Sequence, residues 1–203
     1  MRGGGNSLNK KKLQSEQTKR KVADAAKALF SQKGYKATSI EEIVEATGSS
    51  KGNIYYHFKS KEELFLFVVK QHTYDWLEKW NEKEKLYSTS TEKLYGLAEY
   101  HVEDIQQPIS NAIEEFSMSQ VVSKEILDEL LALTRESYVM FEKLIEVGIQ
   151  SGEFREDNTR DLMYIVNGLL SGLGVLYYEL DYKELKRIYK KAIDVLLKGM
   201  AAE

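Results

Sequence analysis

Apolar residues recur at helical spacing along nearly the whole chain. Between residues 15 and 33, Val22, Ala26 and Phe30 fall on one face, and Gly34 ends the run. No stretch alternates apolar and polar residues, and no Asn-Gly pair marks a hairpin. The pattern predicts an all-α fold of about nine helices, with the later ones over 60–86, 91–107, 109–120, 123–151, 159–179 and 182–201.

Residues 38–63 instead predict two short helices and the start of a longer one. Ser39 and Glu42 form a capping box at the first start, and Gly48 can adopt the left-handed backbone that ends this helix. A second helix of about eight residues follows, and a second capping box at Ser60 and Glu63 opens the next helix. Short helices joined by a tight glycine turn are typical of a helix-turn-helix, whose second helix enters the major groove of DNA.

Charge is distributed unevenly along the chain. Residues 1–61 hold 13 Lys and Arg against 5 Asp and Glu, whereas the remaining residues hold 16 against 27. Phosphate neutralisation by basic side chains dominates nucleic-acid affinity. A solvated lysine-rich face is the alternative interpretation. Because the basic region coincides with the predicted helix-turn-helix, double-stranded DNA is the favoured partner.

Size and composition limit the classes of protein. A chain of 203 residues with 42% hydrophobic content can bury a substantial core, and without cysteine it has no disulfide, thiolate metal site or thiol nucleophile. The first residues lack the apolar segment of a secretory signal, so a cytoplasmic protein is expected. We expect a flexible basic arm over 1–15, a DNA-binding domain over 16–61, and a ligand-binding and dimerisation domain over 62–203.

The stretch GYKATSIEEIVEATGSSKGNIYYHFKSKEELF resembles the DNA-binding signature of the tetracycline-repressor (TetR) family of bacterial one-component regulators. A weaker similarity, through LFLFVVKQHTYDWLEKW and PISNAIEEF, resembles the QacR-type branch that binds quaternary ammonium compounds. This resemblance implies a repressor that binds a palindromic operator as a homodimer, is released by a small-molecule effector, and controls an efflux or detoxification gene.

Side chains in the second short helix divide by chemistry. Lys51 can reach guanine acceptors or a phosphate, and Asn53 can read base edges. Hydroxyl and imidazole groups suit phosphates, whereas Phe58 is expected to pack in the core. Matching positions contact DNA in similar family members, and the predicted DNA-binding residues are Thr38, Ser49, Ser50, Lys51, Gly52, Asn53, Tyr55, Tyr56, His57 and Lys61.

A run of 17 residues without charge, 162–178, lies near the end of the chain. A membrane span with a Gly-x-x-x-Gly motif is one interpretation. Asn167, Ser171 and three glycines dilute the run, and no lysine-rich flank marks one side, so a subunit interface is favoured over a membrane. In the TetR family the last two long helices form a dimeric four-helix bundle, which implies a homodimer interface containing Gly168, Gly172, Leu176, Ile188, Ala192 and Val195.

The middle helices combine aromatic rings with carboxylates, which suits an organic cation through cation–π attraction and charge. Core packing is the alternative role for each ring. Compared with the QacR-type branch, Gln107 replaces a tyrosine, and Thr134 and Ser137 replace a glutamate and a tyrosine, so much of the anionic pocket is absent. A fatty acid or acyl conjugate is therefore the alternative effector. The predicted ligand-binding residues are Trp76, Tyr100, Asp104, Gln107, Asn111, Glu115, Phe116, Tyr138 and Phe141.

Catalysis finds little support in the sequence. The only histidines are His57, His72 and His101, none three residues after a glutamate, so the Glu-x-x-His pairs of di-iron bundles are missing. The phosphate-binding loop, the HExxH motif and the Gly-x-Ser-x-Gly motif are also missing. A protein-only helical adaptor would not explain the basic recognition helix. We therefore expect no enzymatic activity, no cofactor and no metal.

Overall fold

A computed structural model describes residues 4–117 and 123–200. Within these ranges the chain is all-α and contains no strand, as the apolar spacing predicted. The helices are α1 Gly4–Lys33, α2 Ile40–Thr47, α3 Lys51–His57, α4 Lys61–Lys83, α5 Ser90–Ile105, α6 Pro108–Ser117, α7 Lys124–Gln150, α8 Thr159–Gly172 and α9 Tyr182–Met200.

The chain divides into two compact units. The first comprises Met1–His72 and Pro108–Asp128, and the second comprises Thr73–Gln107 and Glu129–Glu203. The first unit therefore includes α6, whose residues come much later in the sequence than the DNA-binding domain expected over 16–61.

The core of the first unit joins α1, α4 and α6. Val22, Ala26 and Phe30 of α1 are fully buried, as their spacing predicted. Phe116 of α6 packs against Tyr35 and Phe65, with ring centroids 4.7 Å apart in each pair, and Phe65 in turn packs against Phe30 of α1 at 4.8 Å. Burial of these rings stabilises the attachment of α6 to α1.

The second unit is built on the packing of α5 against α9. Its core contains Leu97, Val166 and Ile193, all fully buried. Buried Tyr189 donates its hydroxyl to the carbonyl of Leu170 at 2.7 Å, which satisfies a polar group inside the core and ties α9 to α8.

Two segments differ from the sequence predictions. Residues 4–15, expected within a flexible arm, are the first turns of α1, since the lysines, the leucines and Gln14 of this stretch are good helix formers and continue the helix. Residues 1–3 of that arm lie outside the described ranges. The helix predicted over 159–179 ends as an α-helix at Gly172 and continues as a tighter 3₁₀ segment, Leu173–Tyr178. Glycines at 172 and 174 weaken the regular helix there.

Over 4–117 and 123–200, none of the helices is both long and apolar enough to cross a bilayer.

Candidate DNA interface and effector site

Helix α2 begins at the predicted capping box. Glu42 donates its backbone N–H to the Ser39 hydroxyl at 3.2 Å, and its carboxylate accepts the Ser39 N–H at 2.8 Å. The Lys33 ammonium also binds Glu42, and these bonds from Lys33 and Ser39 lower the pKa of Glu42 to about 2. At the other end Gly48 has φ of 64°, the predicted left-handed cap. These local bonds set both ends of α2.

Helix α3 is held on its inner side by two apolar residues. Ile54 is fully buried and Phe58 is 2% exposed, which confirms the predicted core role of Phe58. The Ser50 hydroxyl caps α3 by accepting the Asn53 backbone N–H at 3.1 Å. The Lys19 ammonium from α1 lies 5.5 Å from the Phe58 ring centroid. The recognition helix is thereby attached to α1 while its other side stays exposed.

The exposed side of α3 carries most of the predicted DNA-binding residues. Tyr56 is 78% exposed and Tyr55 is 42% exposed, which is unusual for large rings. The Tyr56 ring packs edge-on against His57, with centroids 5.1 Å apart. Apart from its chain neighbours and the backbone of its own helix, no described residue has an atom within 4 Å of a Cβ built on Gly52, so the backbone there is open to close approach. The side chains predicted to read bases and to bind phosphates thus share one short surface.

Lys51, at the start of this surface, pairs with Glu41 of α2 at 2.5 Å. Both side chains are exposed. The pairing raises the pKa of Lys51 and lowers the pKa of Glu41, the hydrogen bond between them being the largest cause of each shift. The DNA contact predicted for Lys51 would require the lysine to leave this carboxylate or to share it.

Two predicted phosphate contacts have other partners in the first unit. The Lys61 ammonium donates to the carbonyls of Tyr35 and Thr38, each at 3.0 Å, and lies 4.3 Å from the Tyr35 ring centroid. Thr38 is 1% exposed, and its hydroxyl donates to the Gly34 carbonyl at 2.8 Å. These contacts shape the turn that leads into α2. Ser49 lies at the next turn, where its backbone N–H donates to the Thr47 hydroxyl at 3.2 Å.

Glu115 of α6 contacts the same turn. Its carboxylate accepts the backbone N–H of Tyr35 at 2.7 Å and that of Lys36 at 3.3 Å. Burial, followed by the neighbouring Glu62 and Glu115 carboxylates, raises the pKa of the Tyr35 phenol. Glu115 and Phe116, predicted as ligand residues, are therefore placed against the helix-turn-helix. Asn111 of α6 is exposed.

An aromatic cluster in the second unit contains three more of the predicted ligand residues, Trp76, Tyr100 and Phe141. Trp76 stacks on Tyr100 with centroids 5.0 Å apart, and Tyr100 stacks on Trp80 at 5.7 Å. The Tyr100 hydroxyl donates to the Trp76 carbonyl at 3.1 Å. His101 packs edge-on against Trp76 at 5.2 Å and lies 6.1 Å from Phe141. We call these five residues the aromatic cluster.

Acidic residues surround this cluster. Burial raises the pKa of Tyr100 to about 12, and Asp104, Glu103 and Asp75 add to the shift. Lys83 lies 5.2 Å from the Tyr100 ring centroid and pairs with Glu103 at 2.8 Å. A cation of the chain itself therefore already occupies one face of Tyr100.

Two features of the cluster were not foreseen from the sequence. Partly buried His101 shares a hydrogen bond of 2.9 Å with the Leu97 carbonyl through Nδ1, and desolvation lowers its pKa. The buried Trp80 Nε1 has no hydrogen-bond partner within the described part of the chain. A buried donor of this kind offers a bond to an acceptor atom of a ligand. Helical spacing does not reveal either feature, since both depend on neighbours from other helices.

The remaining predicted ligand residues lie at the edges of the second unit. Gln107 donates its carboxamide to Asp104 at 2.8 Å. Tyr138 of α7 packs edge-on against Tyr164 of α8, with centroids 5.5 Å apart.

The predicted subunit interface has an exposed apolar surface on α8, α9 and the segment between them. Ile165, Val175 and Val195 are 53, 61 and 59% exposed. Gly168 and Gly172 are also exposed, and in the described ranges a Cβ built on either one would meet no atom within 4 Å beyond its chain neighbours and its own helix backbone. Leu176, Ile188 and Ala192 are half-buried beside them. Small and apolar residues on one surface allow a second helix pair to approach closely.

A capped helix-turn-helix with an outward recognition helix, together with a second helical unit bearing an aromatic cluster, defines a ligand-responsive DNA-binding regulator. Residues 22–68 match the family described as "Bacterial regulatory proteins, tetR family", and residues 72–202 match "QacR-like protein, C-terminal region". The chain belongs to the TetR family of transcriptional regulators. It therefore binds operator DNA as a homodimer and responds to a small-molecule effector.

One sequence relative and two solved structures of similar fold can be compared with this chain. The chain is 29% identical to the transcriptional regulator QacR of Staphylococcus aureus over 184 residues, 90% of this chain and 98% of that one. Its fold is similar to FadR of Bacillus subtilis in complex with stearoyl-CoA, with TM-score 0.75 and 21% identity over 89% of this chain and 98% of that one. A regulator from Saccharomonospora viridis in complex with choline gives TM-score 0.74 and 18% identity, covering 93% and 100% of the two chains.

Proposed function

We propose that this protein represses transcription from a palindromic operator in the bacterial cytoplasm and has no enzymatic activity. The observation that carries the proposal is the exposed side of α3, where Lys51, Asn53 and Tyr56 project from a helix attached through buried Ile54. Two copies of α3 in a homodimer would enter successive major grooves about 34 Å apart. The regulated gene would encode an efflux or detoxification function, as expected for a QacR-like repressor.

Within α3, base reading and phosphate binding fall to different residues. The Asn53 backbone is used in the cap, whereas its carboxamide has no bond to another described residue and is available for an adenine edge. Tyr56 and His57 supply donors at the rim, which suits phosphates. Lys61 acts on DNA indirectly, because its ammonium holds the turn before α2.

The aromatic cluster is the proposed effector site. Stacked Trp76, Tyr100 and Trp80 provide ring faces, and Asp104 and Glu103 provide negative charge beside them. Such a site favours a lipophilic organic cation, which would replace Lys83 over the Tyr100 ring. The effector releases DNA only if it binds more tightly to a state whose two α3 helices no longer fit the operator spacing.

A fatty acid or acyl conjugate is the second candidate. It is favoured by the similarity to FadR, whose structure contains stearoyl-CoA, and by the absence of the glutamate and the two tyrosines that the QacR-type branch carries at the positions of Thr134, Gln107 and Ser137. An acyl chain would pack against the same aromatic rings and would make no use of the neighbouring carboxylates.

The proposal is tested by fluorescence anisotropy with labelled DNA from the regions that flank the gene for this protein. We expect tight, salt-sensitive binding to an inverted repeat, and release by either a cationic dye such as rhodamine 6G or by stearoyl-CoA. Release by the dye alone supports the cation, and release by stearoyl-CoA alone supports the acyl effector. Equal affinity for inverted-repeat and random duplexes at moderate salt would overturn the proposal that the protein is a repressor.

A matched pair of variants locates the effector site. Trp76→Leu should weaken release by the effector without changing operator affinity, because Trp76 belongs to the aromatic cluster and not to α3. Exposed Leu86 lies outside the cluster, so Leu86→Ala should leave both properties unchanged.

A further inference from the structure

A groove separate from the aromatic cluster runs along the surface of the second unit between α5 and α9. Tyr87, Tyr95 and Gly96 form one wall, and Tyr182 with the basic residues of α9 forms the other. Its volume is about 920 Å³. Small-molecule sites in proteins are typically about 300–1,000 Å³, so the groove has the size of a ligand site.

The apolar wall of this groove depends on a glycine. A Cβ built on Gly96 would lie 2.2 Å from Cζ of Tyr87, so the Tyr87 ring can lie across α5 only because residue 96 has no side chain. Tyr87 in turn stacks on Trp80, with centroids 6.2 Å apart. The Tyr95 hydroxyl donates to Asp194 at 2.6 Å, which fixes the second ring of the wall. Both rings are thus held in place before any ligand arrives.

The opposite wall is strongly basic. Lys183, Lys186, Arg187 and Lys190 lie within two turns of α9 and all line the groove. Lys186 pairs with Glu99, whereas the other three have no ion pair within the part of the chain that the structure describes. This positive cluster is a local exception, because residues 62–203 hold 27 acidic against 16 basic side chains. Unpaired cations beside aromatic walls attract a molecule with both an anionic and an apolar part.

Dimerisation would leave the groove open. Successive residues of an α-helix turn by about 100°. Lys186 and Lys190 therefore lie on one side of the buried residues Leu185 and Tyr189, and the proposed interface residue Ile188 lies on the other. The groove is accessible in the protein as it would bind DNA.

We propose that the groove binds an organic anion with an apolar body and a phosphate, sulfonate or carboxylate group. The three unpaired cations would hold the acid group, and Tyr87 and Tyr95 would hold the apolar body. This second ligand site is lined by residues other than the five of the aromatic cluster, although its Tyr87 ring stacks on Trp80 of that cluster.

Fluorescence titration with 1-anilinonaphthalene-8-sulfonate and calorimetry with 1-naphthyl phosphate test the site on the full-length dimer. The triple variant Lys183→Gln/Arg187→Gln/Lys190→Gln should weaken both probes about tenfold, since each exposed ion pair contributes a factor of roughly two. The exposed double variant Lys143→Gln/Lys198→Gln, outside the groove, should bind like the wild type. All variants are first checked for unchanged helicity and melting temperature.

Other outcomes overturn the proposal. If the triple variant bound both probes with wild-type affinity, the three cations would not be part of the binding site. Loss of probe binding in Trp76→Leu but not in the triple variant would assign the probes to the aromatic cluster. Inorganic phosphate that binds as tightly as naphthyl phosphate would exclude a role for the tyrosine wall. If the triple variant also lost operator affinity, the groove would be a DNA contact and not a ligand site. The proposal that the protein is a repressor would not be affected by this result.

Discussion

The carboxylate of Glu115 accepts the backbone N–H of Tyr35 at 2.7 Å and so connects α6 to the turn between α1 and α2. The approach is close, because a Cβ built on Gly34 would lie 2.7 Å from Oε2 of Glu115. Gly34 also has φ of 84°, a conformation that other residues rarely adopt. The glycine that ends α1 thus also makes room for Glu115. The position of α6 is in this way linked to the start of the helix-turn-helix.

Glu115→Ala should lower the free energy of unfolding by about 1–2 kcal/mol, because a charged acceptor is removed from partly buried N–H groups. Chemical denaturation followed by circular dichroism measures the loss. Glu115→Gln keeps an acceptor oxygen and should lose less. If either variant weakened effector binding at unchanged stability, Glu115 would be a ligand residue after all.

Asn53→Ala should relax discrimination between operator variants, since the carboxamide is the proposed reader of a base edge. Anisotropy with single-base operator changes measures the ratio of affinities. Tyr56→Phe is the control for phosphate contacts and should weaken binding to every duplex by a similar factor. Identical behaviour of the two variants would contradict the division between reading and positioning.

Glu41→Gln should increase affinity for all duplexes about two- to fivefold, because Lys51 no longer has to leave a carboxylate. The gain should shrink as salt rises, since exposed pairs are screened. Measuring operator affinity between low and moderate salt tests this, with Glu45→Gln on the same helix as the control. No gain at low salt would show that the pair with Lys51 does not compete with DNA.

The folded protein should become less stable in acid, and His101 should be one cause of this loss. Its folded pKa lies below the ordinary 6.5, so the unfolded chain takes up a proton that the folded protein resists. The contribution of neutral His101 to the free energy of unfolding is therefore fully present above pH 6.5, and it is lost as the pH falls below that value. Melting temperatures at pH 7.5 and 5.5 should differ less in His101→Phe than in the wild type, and an unchanged difference would contradict a role for His101.

Val195→Glu should dissociate the dimer, because it places a charge on the exposed apolar surface of α9. Sedimentation velocity would then show a monomer, and operator affinity should fall with it. Lys183→Glu lies on the groove side of the same helix and should remain dimeric. A dimeric Val195→Glu protein would move the subunit interface away from this surface.

Local signals in the sequence determined most of the secondary structure. The capping box of Ser39 and Glu42, the left-handed cap at Gly48 and the start of α6 at Pro108 each depend on residues within one turn of each other. Physical rules for such short-range contacts do not require knowledge of the fold. Helical spacing likewise identified the buried side of α1 and the all-α class.

Tertiary structure alone decided which helix each apolar side contacts. Tyr35 and Glu115 are 80 residues apart, and Lys61 binds carbonyls 23 and 26 residues before it. Periodicity shows that one side of a helix is apolar but not which partner covers it. Glu115 and Phe116, predicted as ligand residues, lie against the helix-turn-helix, and their spacing in the sequence did not reveal this position. The basic groove of α5 and α9 likewise exists only because packing brings two distant helices together.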